Sequence, residues 1–269
     1  MDFDFSHIAV PFRMQPGLRR VASGAPQLTR LDPASGLWAE KSAVLACGGS
    51  RQGVPGFDPA PALQAIAAEA ARCGIDWTHA PGNPPPELAF EEDFAVLDGA
   101  TGTLPWLCVC VPSHWAPEDK IGLDFRRLHA PVADNAALLA ASAQLVALAT
   151  GGERWERFVW TLSPSPRHDQ HPARHARAPW PDPADAQAFA AGTWLRAERQ
   201  TFFPVGGGTR QAVFTIRVML APLAQVIDSN DRATRLHDSL ASMSPAVLQY
   251  KGLAPARAPL LAWLAARAA

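Results

Sequence analysis

Apolar and polar positions alternate most regularly in two stretches near the middle of the chain. In "TWLRAERQTFF" a period of two puts Leu195, Ala197, Arg199, Thr201 and Phe203 on one face and Trp194, Arg196, Glu198, Gln200 and Phe202 on the other. In "RQAVFTIRVML" Phe214, Ile216 and Val218 share a face opposite Val213, Thr215 and Arg217. The "PVGGG" between them supplies the positive backbone angles of a hairpin connection, so the pair predicts two antiparallel strands. "LPWLCVCVPS" and "RFVWTLSP" are continuous β-favouring runs and predict buried strands.

Helical spacing appears elsewhere. Asp58-Pro59 opens a run in which Leu63, Ile66, Ala67 and Ala70 recur until Gly74, the pattern of a short amphipathic helix. "ELAFEEDFAVLDG" predicts another, with Leu88, Phe94 and Leu97 on one side and its acidic residues near the start. Asn135 precedes "AALLAASAQLVALAT", a helix expected to run unbroken to Gly151. From Ala221 onward the pattern predicts helices interrupted at Pro245 and between Gly252 and Pro259. Residues 1–57 predict irregular structure with one helix after Leu37. "SPSPRHDQHPARHARAPWPDPAD" is too rich in proline for a helix or an interior strand and predicts a loop or an ordered wrap.

Composition narrows the class. The chain has 269 residues, 48% of them hydrophobic and 18% charged, which suits a packed globular protein. A net charge of -1 without a basic, aromatic-laced stripe argues against nucleic acid as partner. The start of the chain lacks the basic and apolar regions of a secretory signal, and the longest apolar run is too short to span a bilayer, so a cytoplasmic location is expected. Cys47, Cys73, Cys108 and Cys110 lack the spacing of a disulfide framework or an iron–sulfur cluster. "CGGSRQG" misses the dinucleotide fingerprint at Ser50, and neither a phosphate-binding G-K-[ST] nor a G-x-S-x-G elbow occurs.

The remaining chemistry lies in charged groups within strands and in the histidines. An arginine inside a strand such as Arg199 or Arg217 needs an anion, because an unpaired buried charge costs several kcal/mol. A cross-strand ion pair and a ligand carboxylate both satisfy that need. His168, His171 and His175 have ligand-like spacing, but the prolines around them deny the helix that would align their imidazoles, and a solvated loop is expected. His114 and His129 bracket a polar, aromatic excursion directly after an apolar run. Pro131 constrains the backbone just beyond His129, which makes its imidazole a candidate metal or haem ligand.

"EEDF", "PSHWAPEDKIGLDFRRLHAPV", "LRAERQTFF…AVFTIRVMLAPL" and "LQYKGL" occur in an order that resembles the haem-dependent oxidative N-demethylase alpha-subunit family. The resemblance implies an α+β chain with a PAS-like antiparallel sheet and helices over one face. It implies a single haem-binding catalytic domain over 1–269, with an irregular segment over about 1–57 and a helical tail over about 221–269. Haem b is then the cofactor, with His129 as axial ligand, Trp115 packed on the macrocycle, and Lys120, Arg126, Arg199 and Arg217 competing for the propionates. Glu198 is the expected partner of a cationic amine. The activity implied is monooxygenase-like removal of a methyl group from a small secondary amine by dioxygen, with formaldehyde released. Electrons are expected from a separate NADPH-dependent reductase carrying flavin and an iron–sulfur cluster. Where many members read "TIRTYL" this chain has "TIRVML", losing two hydroxyl groups. A haem-PAS gas or redox sensor, and a haem-free binding protein of the same fold, remain open at this point.

Overall fold

A computed structural model describes residues 3–268. Seven strands form one antiparallel sheet: β1 (Arg19–Arg20), β2 (Arg51–Gly53), β3 (Asp93–Asp98), β4 (Trp106–Cys108), β5 (Trp155–Ser163), β6 (Trp194–Pro204) and β7 (Gln211–Pro222). Their spatial order is β1-β5-β6-β7-β3-β4-β2. The helices are α1 (Gly36–Ala46), α2 (Ala60–Arg72), α3 (Pro86–Ala89), α4 (Phe125–His129), α5 (Ala136–Ala140), α6 (Ser142–Ala149) and α7 (Ala186–Ala191). They continue with α8 (Leu223–Val226), α9 (Asn230–Ala241), α10 (Pro245–Lys251) and α11 (Arg257–Ala268). The α+β class agrees with what the family resemblance implies, and the long hairpin with the alternation in the sequence.

The register decides what each face carries. Val159 of β5 pairs with Glu198 of β6, which pairs with Val218 of β7. Arg157, Gln200, Ile216 and Asp93 form the adjacent row. Directly paired residues share a face, so these side chains lie together. On the opposite face Trp160, Leu162, Leu195, Ala197, Met219 and Ala221 pack with apolar residues of α7, α9, α10 and α11. Farther along that face Phe94, Val96, Trp106, Phe203 and Val213 pack with Leu63, Ile66 and Ala70 of α2. The face that carries Glu198 is covered only in part. Leu37 and Val44 of α1 cluster with Ile216 and Val218, while Trp155, Arg157, Val159, Glu198, Gln200 and Phe202 stay half-buried.

Three expectations need correction. "ELAFEEDFAVLDG" holds only the four-residue α3 and then becomes β3, whose residues Asp93 to Leu97 are all buried. β3 pairs with β7 on one side and β4 on the other, so a run buried on both faces was mistaken for a helical stripe. The helix expected after Asn135 is split at Ala141 into α5 and α6, and the Asn135 amide bonds the carbonyls of His129 and Ala130 instead of capping α5. The histidine-rich tract is an ordered wrap instead of a solvated loop: Asp169, Gln170 and His171 are buried.

Candidate functional site

The half-covered face is built from β5, β6 and β7. Its floor is apolar, with Val159 and a stacked Phe202–Phe214 pair whose ring centroids lie 4.7 Å apart. Trp115 packs against the same apolar group as Phe214. Two buried N–H groups on this face have no hydrogen-bond partner, Nε1 of Trp155 and Nε of Arg157. Burial pulls the Arg157 pKa down, while the charges of Glu198 and Tyr250 act against it. Arg157 is a cation held in protein without an ion-paired carboxylate.

Glu198 is held at both oxygens. Ser113 donates to Oε1, and the Gln200 amide donates to Oε2 at 2.7 Å. Tyr250, the chain's single tyrosine, reaches this region from α10. Its pKa is raised by burial and then by the negative charge of Glu198, with Arg157 opposing. Lys251 follows it, donating to the Trp160 carbonyl at 2.7 Å, and burial lowers its pKa to about 8. His114 stands at positive φ, 60°, and its pKa is pushed down to about 4 by burial and then by Arg177 and Arg196.

His129 is the last residue of α4, which is capped at its start by Asp124, whose carboxylate accepts from the Arg127 N–H at 2.9 Å. The imidazole lies against Phe125, and its Nδ1 is 2.8 Å from the Phe125 carbonyl oxygen. A carbonyl only accepts, so Nδ1 carries the hydrogen. Burial, joined by the charges of Arg157 and Lys120, lowers the His129 pKa. A neutral ring with Nδ1 protonated leaves Nε2 as a lone pair for a metal.

Not every expected residue gathers here. Glu198, His129 and Lys120 interact electrostatically with Arg157 or with one another, and Trp115 shares the face. Arg199 and Arg217 point to the opposite face and are not stranded. Arg199 is bound to Glu156 at 2.8 Å and to the Pro26 carbonyl, and Arg217 donates to Glu91 at 2.6 Å. Of the two alternatives open for these arginines, a protein anion is the one found: Arg199 pairs with a carboxylate on the neighbouring strand β5 and Arg217 with Glu91 just before β3. Arg126 is exposed and donates to the Leu139 carbonyl at 3.0 Å. Sequence reasoning missed Arg157, Ser113, Gln200 and Tyr250. Alternation along "RFVWTLSP" does set Arg157 opposite Phe158, but only the register brings it beside Glu198.

Among the described residues no group of three or more His, Cys, Asp and Glu side chains can hold a bare metal ion. The histidine tract is spent on carboxylates, with His168 on Glu40, His171 on Glu118 and His175 on Asp169. Two hollows beside α2 carry only His79 and Asp76 as titratable groups. The half-open face, in contrast, fits a flat apolar group bearing anionic arms. It offers an aromatic floor, a half-buried guanidinium whose Nε has no partner, an indole N–H without acceptor and an imidazole lone pair. No helix among the described residues is long and apolar enough to cross a membrane. The model of a family described as "Haem-dependent oxidative N-demethylase, alpha subunit-like" matches residues 88–261, a span that holds Ser113, Trp115, Lys120, His129, Arg157, Glu198, Gln200 and Tyr250. With well over half of its length matched, the chain belongs to that family.

Proposed function

We propose that this chain is the haem b-carrying catalytic subunit of an oxygen-dependent N-demethylase acting on a small secondary amine. The observation that supports it most directly is the unpartnered Arg157 Nε on the face that also holds Glu198, within electrostatic reach of His129. Bound haem supplies the redox centre at which dioxygen is used, the methyl carbon leaving as formaldehyde and one oxygen atom as water, with reducing equivalents drawn from NADPH.

The chain's own residues do the rest. His129 would offer Nε2 to haem iron, its ring fixed by the Phe125 carbonyl. Arg157 and Lys120 offer positive charge to the propionates, and Trp115 and the Phe202–Phe214 pair give the macrocycle an apolar surface. Glu198 receives the amine, which is cationic at neutral pH and needs a carboxylate once it leaves water. A flavin and iron–sulfur reductase as a separate partner is in keeping with an alpha-subunit-like family.

The test is spectroscopic and then catalytic. Haem-supplemented expression should give a Soret band that moves on reduction and with carbon monoxide. His129→Ala should weaken haem retention at least about tenfold, the scale on which a lost metal contact is felt. An unchanged spectrum in that variant would remove the ligand assignment. Dimethylamine-dependent NADPH consumption in the presence of a reductase, with formaldehyde formed in equal amount, separates an enzyme from a haem sensor.

A further inference from the structure

Arg196 is almost fully buried, 1% exposed, yet none of its hydrogen-bond partners is an anion. Its Nε donates to Ser113 Oγ at 2.8 Å, and its terminal nitrogens donate to the carbonyls of Arg167 and Val111, each at 3.2 Å. Glu198 heads the charges that oppose its loss of basicity on burial. The two charges are joined through one hydroxyl. A guanidinium can only donate, so Ser113 accepts from Arg196 and its own proton is directed to Glu198 Oε1.

We propose that Ser113 is a positioning residue for Glu198, with Arg196 as the buried counter-charge behind it, so that the carboxylate presents its free lone pairs to a dialkylammonium ion. This rests on the amine-binding role given to Glu198 above. The geometry supports it on three sides. Ser113 and Gln200 each occupy one carboxylate oxygen with a single donor, leaving further acceptor capacity on both. Val218 stands opposite Glu198 in the register and offers no competing donor. Arg157 from β5 and Tyr250 and Lys251 from α10 also act on Glu198, while Glu40, Asp93, Asp169 and His114 interact electrostatically with Arg196. A dialkylammonium has two N–H donors, which two carboxylate oxygens of fixed orientation can accept together. Ser113 touches no substrate. It acts by holding the group that does.

Calorimetric titration with dimethylammonium chloride tests this on the haem-loaded protein, alongside steady-state kinetics. Ser113→Ala should weaken binding and raise KM about tenfold, as expected for a lost hydrogen bond to a charged group, while kcat changes less than about threefold. Ser113→Thr keeps the hydroxyl and should stay within about twofold of the parent, a rescue that general destabilisation does not give. Both variants should retain the parent Soret band. Ser113→Ala binding the amine as tightly as the parent overturns the relay alone. A parent chain that loads haem but binds no dimethylammonium overturns the amine reading and this role with it. A chain that takes up no haem overturns the haem reading, and the amine titration of that same chain still decides the relay.

Discussion

Arg157 and Arg199 lie in consecutive register positions of adjacent strands, on opposite faces, and illustrate how one residue type meets different fates. Arg199 reaches Glu156 and a backbone carbonyl, whereas Arg157 is half-buried with its buried Nε lacking any hydrogen-bond partner. An uncompensated buried charge is costly, and replacing buried ionic groups by apolar ones of similar volume is often neutral or stabilising. Arg157→Met should therefore raise the stability of the haem-free protein by about 1–3 kcal/mol, read as a higher urea midpoint. The same variant should retain less haem at equal Soret-band titration, since it removes a cation the propionates would use. A lower midpoint in the haem-free variant would mean that Arg157 already has a structural partner. The departure from "TIRTYL" also resolves at this scale. Val218 faces Glu198, whereas Met219 points into the helix-packed core, so only one of the two missing hydroxyls bears on the site. Alternation alone assigned Glu198 and Arg199 to opposite faces. It could not tell a half-buried arginine such as Arg157 from a solvated one, because that depends on what covers the strand.

Elements were legible where the pattern is local and one-sided. The β6–β7 hairpin alternates along its length and closes through three glycines at positive φ, so its pairing could be read directly. β3 could not, because Phe94 and Val96 pack on one face while Ala95 and Leu97 are buried on the other, and a strand covered on both sides loses its period of two. Its start is a buried polar junction. Lys41 from α1 pairs with Asp93 at 3.0 Å and donates to the carbonyls of Phe90 and Glu92, while the Glu92 carboxylate accepts from the Thr29 N–H at 2.9 Å. Burial raises the Glu92 pKa to about 7, against the lowering effects of the Thr29 N–H, Arg217 and Lys41. With the folded-state value above the unfolded 4.5, the folded chain binds more protons between these limits. Its contribution to stability is full below about pH 4.5 and is lost as pH rises through 7. Glu92→Gln keeps an acceptor for Thr29 but cannot ionise. Relative to the parent, the variant should gain on the order of 3 kcal/mol between pH 4.5 and 8, measured by urea unfolding across that range. A constant difference over the range would show that Glu92 does not titrate there.

At the scale of the whole molecule, the two sheet faces are unequal in a way that no single segment announces. Helices from the C-terminal region and α2 cover one face, while the other keeps a half-buried stretch over β5 and β6. The candidate site draws Ser113, His129, Arg157, Glu198 and Tyr250 from five separate segments, so its assembly waits on strand order and register. Residues before the matched span contribute too, since α1 lies over Val218 and Glu40 ties down the histidine tract. A ligand that binds the folded chain and not the unfolded one stabilises it by RT ln(1 + [L]/Kd). Free haem at about 100 times its Kd should stabilise the protein by about 2.7 kcal/mol. For a chain of this size that raises the thermal midpoint by roughly 5–10 °C. The rise should grow with haem concentration and shrink in His129→Ala and Arg157→Met, whereas variants of Arg199 or Arg217 should lower the midpoint with and without haem alike. If instead the midpoint does not respond to haem, or Arg199 and Arg217 variants lose the response while the other two keep it, the half-open face is not where the cofactor sits.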